Sequence, residues 1–308
     1  MKYLKKLIYL APYLFFACEY EINYSGQLEN DKLVIATMLQ EDSTISFPLM
    51  HSAQPGVFEG TTYEEYKKKS TKQYNKNPFV FDALINLYVN GDFKETAKKT
   101  SNSYNYRFDY IPKHNDMLSF EIQHKDYPTA YSQVNMNIIT PQLDSFYCSI
   151  EERQGRKCEV IYIELNDDGN ENYYMIEPYT FNFSRSYFSH PTIILESHSG
   201  VYYNNSIALS FGEEDIHFNY YGVFSNERFK GEIYKLKLCY ETWSDENERG
   251  YRPVKISKID RNTHNYLYSL GNYINSSSSM LNPVSIQNFI TNGYGFIGCK
   301  KSIVKNLQ

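Results

Sequence analysis

The chain has little of several features that would quickly identify a function. Its 308 residues include a single tryptophan and five cysteines, and no basic block is long enough to act as a nucleic-acid-binding arm. The formal net charge of −5 argues against a polyanionic ligand, so nucleic acid is not an expected partner. No apolar run reaches the ~20 residues that a membrane-spanning helix needs, which argues against a multi-span membrane protein.

Familiar catalytic and cofactor motifs are also missing from the sequence. It contains no nucleophile elbow, HExxH zinc signature, Walker loop or GxGxxG fingerprint. The segment 166–170 (NDDGN) resembles a calcium loop, but Met175 stands where a bidentate glutamate would be needed, so we predict a tight turn. We therefore predict a protein that is not an enzyme and uses no cofactor.

Aromatic residues, in contrast, are abundant. The chain has 31 tyrosines and 19 phenylalanines, which bring its aromatic content to 17%. Both residue types favour strands and half-exposed surfaces. Because hydrophobic residues make up 42% of the chain and charged residues 22%, the composition is that of a packed globular protein. We predict an all-β fold.

The first 17 residues have the pattern of a bacterial signal peptide. Lysines within residues 1–6 precede an apolar stretch over 7–16, and an alanine stands directly before Cys18. This arrangement resembles a lipobox, so Cys18 is predicted to become the lipidated first residue and to anchor the chain to a membrane. The alternative is an ordinary signal peptide, with Cys18 in a disulfide. Residues 18–30 are polar and are predicted to form a tether.

The remaining cysteines form an even set, as expected for an exported protein. Cys148 and Cys158 flank a polar stretch that is typical of a hairpin tip, so they are candidates for a local disulfide. The alternative is that the four cysteines are buried free thiols. The four are Cys148, Cys158, Cys239 and Cys299.

One group of residues is a weak candidate for a metal site. His190, Glu196 and His198 could supply two imidazoles and a carboxylate, a set that suits a transition metal. Residues 196 and 198 would share one face of a strand. Exposed histidines are common, however, and we predict no bound metal.

The region 31–141 is predicted to be an immunoglobulin-like or transthyretin-like β-sandwich. Short runs with period-two alternation recur through it, and in the segment 81–89 every second residue is apolar. Asn90-Gly91 follows directly, and this pair is the strongest short signal for a β-hairpin. The dipeptide at 140–141 (Thr-Pro) ends the series.

The region 142–308 is predicted to be a larger antiparallel β domain, either a barrel or a sandwich, with one packed helix. Alternating segments continue to about residue 259. Between residues 261 and 276 the period changes to 3.6, with apolar side chains at 266, 267, 270, 273 and 274. This spacing predicts an amphipathic helix over 261–276.

Several segments, taken in order, resemble a family of Bacteroidota lipoproteins known as domain of unknown function 4249. The resemblance spans nearly all of the chain after residue 17, and the order of the segments carries it. The segments are Cys18-Glu19, KLVIATMLQEDSTISFPL (32–49), FDALINLYVNG (81–91), Thr140-Pro141, NDDGNENYYMI (166–176), FSNERFKGEIYKLKL (224–238) and NPVSIQNFITNGYGFIG (282–298).

The resemblance implies a location and a partner but no chemistry. It implies a lipid-anchored protein of the outer membrane, either periplasmic or surface-exposed, whose partner is a TonB-dependent outer-membrane receptor. It supplies no catalytic residues. We therefore predict a non-catalytic binding or accessory module in nutrient uptake. Two alternatives stay open, namely a hydrolase acting on glycan or peptide and a structural or adhesive surface protein.

Overall fold

A computed structural model shows a mostly β protein with one helix in the part of the chain that it describes. That part comprises residues 31–52, 78–99, 104–153, 156–178, 181–183, 187–189, 192–194, 202–204, 221–227, 229–241, 253–276 and 285–306. Residues 31–308 form one compact unit. The predicted all-β class with a single packed helix is confirmed.

The first nine strands belong to the predicted sandwich region. They are β1 (Leu33–Leu39), β2 (Ser46–Pro48), β3 (Met50–His51), β4 (Leu84–Val89), β5 (Asp92–Thr96), β6 (Lys98–Lys99), β7 (Asn105–Arg107), β8 (Met117–His124) and β9 (Tyr127–Asn135). One antiparallel sheet has the order β5-β4-β8-β9, and a small sheet has the order β2-β7-β6. The predicted hairpin at Asn90-Gly91 is confirmed, since both residues have positive φ, at 55° and 92°.

The rest of the described chain contains eleven more strands and the helix α1 (Arg261–Ser276). The strands are β10 (Gln142–Arg153), β11 (Arg156–Asn166), β12 (Tyr173–Pro178), β13 (Phe181–Phe183), β14 (Tyr187–Ser189), β15 (Thr192–Ile194), β16 (Tyr202–Asn204), β17 (Tyr221–Ser225), β18 (Ile233–Glu241), β19 (Val254–Ile259) and β20 (Tyr294–Lys305). A four-stranded sheet has the order β10-β11-β18-β15, and β13 pairs with β14.

A seven-stranded sheet joins the two halves of the sequence. Its order is β16-β17-β12-β19-β20-β1-β3, and β1 pairs in parallel with β20, with Ile35 opposite Gly295. Between the described strands of the second region the pairs are antiparallel, as predicted, and the parallel pair joins that region to the first. The regions 31–141 and 142–308 therefore share a sheet across the predicted boundary. The last described strand, β20, thus pairs with the first, β1.

The sandwich region encloses a hydrophobic core, to which Ile290, Ile297 and Cys299 of the later region also contribute. Ile85 and Leu87 point inward from β4, and fully buried aromatic rings fill the centre. The rings of Phe47, Phe108 and Phe120 meet there, with edge-on contacts at centroid distances of 5.8 Å. Such edge-to-face pairs contribute about 1 kcal/mol beyond the burial of their area. The inward face predicted for the segment 81–89 is thus confirmed at Ile85 and Leu87.

A second core lies between the seven-stranded sheet and the β10-β11-β18-β15 sheet. Ile161 and Ile163 of β11 pack there against Leu236 and Leu238 of β18 and against apolar residues of β12, β17 and β19. Since two faces of strands enclose this core, the second region is a sandwich rather than a barrel.

The helix α1 covers the other face of the seven-stranded sheet. Leu267 is fully buried there, and the ring of Tyr266 lies 4.5 Å from that of Phe296 on β20. The predicted helix over residues 261–276 is confirmed. Within the described residues, no helix has the length and apolar character that crossing a bilayer requires.

The residue before the helix explains where it begins. Asp260 Oδ2 accepts hydrogen bonds from the backbone N–H groups of Asn262 at 3.0 Å and Thr263 at 3.3 Å. This is an N-cap, a role in which aspartate is strongly preferred. Asp260 Oδ1 also accepts from the N–H of Cys299 at 2.7 Å, so the same carboxylate attaches the start of the helix to β20.

Candidate functional site

An open groove lies on the outer face of the β5-β4-β8-β9 sheet. It has a volume of about 600 Å³. Its floor consists of outward-facing side chains from three neighbouring strands, and one wall belongs to the segment 285–293 that precedes β20. The polar side chains that line it include those of Tyr88, Ser119, Glu121, Tyr131, Gln133 and Thr291.

Strand alternation places these polar and aromatic side chains outside. Leu87, Phe120 and Ala130 are buried in the core, so their chain neighbours Tyr88, Glu121 and Tyr131 point to the opposite face. The cross-strand register then groups the outward residues. Tyr88 lies opposite Ser119, and Glu121 lies opposite Tyr131.

The Glu121 carboxylate is the centre of the groove. Its Oε2 accepts hydrogen bonds from Asn86 Nδ2 and from the Tyr88 hydroxyl, both at 3.2 Å. Its Oε1 accepts from the Tyr131 hydroxyl at 3.4 Å. The hydrogen bond from Asn86 is the main cause that lowers the pKa of Glu121, so the group is an anion at neutral pH.

Two tyrosine hydroxyls, from the strands on either side of β8, donate hydrogen bonds to this anion. Burial, followed by the bond to Glu121, raises the pKa of Tyr88. Tyr131 is 45% exposed, and Phe93, which is 59% exposed, meets the Tyr88 ring edge-on at 5.8 Å. Aromatic surface therefore extends from the groove to the edge strand β5.

The wall of the groove is attached to β9 by backbone hydrogen bonds. The N–H of Tyr131 donates to the carbonyl of Thr291 at 3.0 Å, and the N–H of Thr291 donates back at 2.9 Å. Asn288 Nδ2 donates to the carbonyls of Ile290 at 3.0 Å and Gly293 at 2.8 Å and closes the turn behind the wall. Residues 288–293, within one of the segments that resemble the family, thus build one side of the groove.

The groove has a negative formal charge. Among the described residues that line it, Glu121 is the one with a formal charge, and none is a lysine or arginine. Its other polar groups are hydroxyls and the amide of Gln133. Chemically, this surface offers ring faces, neutral donors and acceptors, and a single carboxylate that four neutral side chains already contact.

A second polar cluster lies directly beneath an exposed turn, around Asp167. This residue is 5% exposed and follows β11. Its carboxylate accepts hydrogen bonds from side chains and backbone N–H groups across two loops. The donors are Asn172 Nδ2 at 2.9 Å, the Tyr174 hydroxyl at 2.9 Å, Asn226 Nδ2 at 2.9 Å, Gly169 N–H at 3.1 Å and Gly231 N–H at 2.7 Å. We call these residues, with Asp168 and Lys258, the Asp167 cluster.

The Asp167 cluster connects two of the segments that resemble the family, 166–176 and 224–238. The Oδ1 of Asn226 accepts the N–H of Asn172 at 3.0 Å, which turns the amide nitrogen of Asn226 toward Asp167. Lys258 Nζ lies 2.9 Å from Asp168 Oδ2. Burial opposes ionisation of Asp168, but the hydrogen bonds from Lys258, Asn172 and the backbone of Asn170 together outweigh it and lower the pKa of Asp168 to about 2.

The contacts of the Asp167 cluster indicate a structural role. Both oxygens of Asp167 have donors on the protein, so the carboxylate has its hydrogen-bonding needs met internally. The predicted turn at 166–170 is found, and Gly169 within it has a φ of 78°. Among the described residues, no group of three or more His, Cys, Asp or Glu side chains could hold a metal ion.

The structure describes some of the site residues that were predicted from the sequence and not others. Cys18, His190, Glu196 and His198 lie outside the described residues. In the β10–β11 ladder Cys148 is opposite Ile161, while Cys158 is opposite Glu151. This offset of three residues corresponds to ~10 Å along a strand, whereas a disulfide requires Cα atoms within ~7 Å. The suggested local bridge is therefore not formed, and the Cys148 thiol lies 3.5 Å from Glu159 Oε1.

Sequence reasoning did not find the groove. The alternation in β4, β8 and β9 does reveal which residues face outward, and that signal was available. The grouping of Tyr88, Glu121 and Tyr131 depends on which strands are neighbours and on their register, which no local pattern contains.

The two sandwich cores, the helix-covered sheet and the surface groove define an all-β protein with an open cleft on one sheet face. The family model described as "Domain of unknown function (DUF4249)" matches residues 18–303. The chain belongs to the DUF4249 family.

Comparisons with individual proteins add little to this. No curated protein matches the chain. A solved structure from Corynebacterium diphtheriae, described as membrane anchored, has 8% identity and a TM-score of 0.20 over 75% of this chain and 54% of its own. A structure of manganese lipoxygenase from Gaeumannomyces graminis with part of zonadhesin from Komagataella pastoris has 6% identity and a TM-score of 0.22, over 90% and 93%. This chain spans about half the length of the first structure. Likenesses this weak support no conclusion about the fold or function of this chain.

Proposed function

We propose that this protein is a lipid-anchored, non-catalytic binding module of the outer membrane of Bacteroidota, associated with a TonB-dependent transporter in nutrient uptake. The observation that carries the binding role is the open groove with its ordered tyrosines around Glu121. The match to the family begins at residue 18, the cysteine that the lipobox-like pattern predicts to be lipidated.

The chemistry of the groove supports binding rather than hydrolysis. A glycosidase uses two carboxyl groups, separated by ~5 to ~10 Å, as acid and base or nucleophile. Glu121 is the one carboxylate among the residues that line this groove, and its lowered pKa makes it a poor proton donor at neutral pH.

The anchor is tested by replacing Cys18 with alanine. We expect the Cys18→Ala variant to leave the membrane fraction, because acyl chains attached to its sulfur would supply the membrane affinity. Fractionation of cell envelopes and intact mass of the purified protein are the measurements. Cys148→Ala is the matched control and should remain membrane-bound. If Cys18→Ala also remains, or the native chain has no added lipid mass, the anchor is wrong.

The transporter association is tested by affinity purification of the tagged native protein from detergent-solubilised envelopes. We expect a TonB-dependent receptor among the recovered proteins, at near-stoichiometric amounts. The Cys18→Ala variant serves as a control for enrichment that depends on co-localisation at the membrane. Recovery of soluble proteins alone would contradict the association.

A further inference from the structure

We propose that the groove on the β5-β4-β8-β9 sheet binds a neutral glycan, with sugar rings stacking on Tyr88 and Tyr131. This inference rests on the proposed binding function and names its ligand class. It assigns Tyr88, Tyr131 and Gln133 as the principal binding residues and Glu121 as the residue that positions the two tyrosines.

The aromatic groups suit the apolar faces of sugar rings. Tyr131 exposes 45% of its surface, and Phe93 continues the aromatic surface beyond Tyr88. Tyr88 and Tyr131 come from strands on opposite sides of β8, so the floor of the groove between them is about two strand spacings wide, ~10 Å. A sugar chain could contact both rings at that separation.

The hydrogen bonds around Glu121 prepare these rings for a ligand. Both tyrosine hydroxyls donate to the one carboxylate, and Thr96 Oγ1 supports the arrangement by donating to Asn86 Oδ1 at 2.8 Å. Side chains held in this way lose little conformational entropy when a ligand binds. The carboxylate therefore acts mainly as a positioning group for the tyrosines.

The remaining polar groups match a ligand rich in hydroxyls. Ser119, Gln133 and Thr291 contribute hydroxyl and amide groups around the rings. These groups can both donate and accept, as a sugar hydroxyl requires of its partners. Gln133 and Thr291 are exposed, so their polar atoms are accessible from solvent.

Other ligand classes fit the groove less well. An anionic ligand would meet a negative carboxylate and no cation among the lining residues. A lipid chain would need an enclosed apolar pocket, whereas this groove is open and half polar. A small cation would favour aromatic rings that enclose it on several sides, and the open floor between Tyr88 and Tyr131 favours an extended chain of rings instead.

The test is affinity electrophoresis of the purified full-length protein in detergent. The probes are soluble neutral polysaccharides, namely α- and β-glucans, mannan, xylan, arabinan and galactan. We expect at least one of them to retard the protein. Tyr131→Ala and Tyr88→Ala should each weaken that association at least tenfold, as measured by calorimetry with an oligosaccharide of the retained type.

The matched control is Tyr147→Ala. Tyr147 is 48% exposed on β10, where its ring stacks on Tyr162 at 4.7 Å, and it lies outside the groove. Its replacement should leave polysaccharide binding unchanged. Circular dichroism of each variant shows whether the fold is retained. For a groove variant that does not fold, Tyr131→Phe, which keeps the ring, should retain most of the binding.

Three outcomes would overturn the glycan proposal. The first is retardation by none of the polysaccharides. The second is binding that survives both Tyr131→Ala and Tyr88→Ala. The third is binding of polylysine in place of polysaccharide, abolished by Glu121→Gln, which would identify a cationic ligand. Recovery of a TonB-dependent receptor together with any of these would remove the glycan and leave the proposed function standing.

Discussion

Replacing Asp167 with alanine is expected to lower the free energy of unfolding by about 4 kcal/mol or more. The Asp167 carboxylate is buried and accepts hydrogen bonds from Asn172, Tyr174, Asn226 and the backbone of Gly231. Its removal would leave the buried Tyr174 hydroxyl without this acceptor and would take one acceptor each from Asn172 and Asn226, at a cost of about 1–3 kcal/mol for each hydrogen bond to the charged group. Local relaxation and entry of water would recover part of that cost.

The measurement is denaturant unfolding followed by circular dichroism. Asp126→Ala is the control, because the side chain of Asp126 is 65% exposed, and it should change the free energy of unfolding by less than about 0.5 kcal/mol. An Asp167→Ala variant within 1 kcal/mol of this control would show that the Asp167 cluster does not stabilise the fold.

The pH dependence provides a second check on the same cluster. Burial raises the pKa of both carboxyls, but hydrogen bonds led by that from Gly231 lower the pKa of Asp167, and hydrogen bonds led by that from Lys258 lower the pKa of Asp168 to about 2. A carboxyl whose pKa is lowered on folding stabilises the protein above its unfolded pKa of ~4. This stabilisation is lost as pH falls through the folded value. We expect unfolding midpoints to decline between pH 4 and 2, and less steeply for Asp167→Ala.

Replacing Gly295 with alanine is expected to have an effect of similar size, about 4 kcal/mol. Gly295 has a φ of 104°, a backbone conformation that residues with a Cβ avoid. An added Cβ would also lie 1.8 Å from the carbonyl oxygen of Ile35, its parallel partner on β1. Relief of that overlap would require β1 and β20 to separate at the middle of the seven-stranded sheet.

Gly91 offers a control that separates the two causes. Its φ is 92°, but an added Cβ would have no neighbour within 4 Å. Gly91→Ala should therefore show the backbone strain alone, about 1 kcal/mol, and Gly295→Ala the strain plus the steric overlap. Thermal unfolding of both variants is the measurement. Equal losses for the two would mean that β1 and β20 are not packed as closely as the structure shows.

Local patterns in the sequence predicted the elements that depend on nearby residues. The alternation within 81–89, the hairpin at Asn90-Gly91 and the helix over 261–276 all correspond to observed structure. Each follows from periodicity or backbone preference within a few residues, which a sequence displays directly. The all-β class followed from the same local signals summed over the chain.

Contacts between distant segments decided the rest. The parallel pairing of β1 with β20 joins residues about 260 positions apart, and no period or turn signal announces it. The register of β10 with β11 decided that Cys148 and Cys158 do not meet. The Asp167 cluster likewise forms because the loop before β12 packs against the loop after β17.

The sequence by itself therefore determined the class of fold, the position of the helix and hairpin, and membership of a family through the order of its segments. Tertiary structure alone decided the shared sheet and the groove. A groove residue such as Tyr131 has an ordinary outward position in its own strand, and its meaning comes from Glu121 on the neighbouring strand. Strand order and register set that neighbourhood, and both arise from the packing of the whole chain.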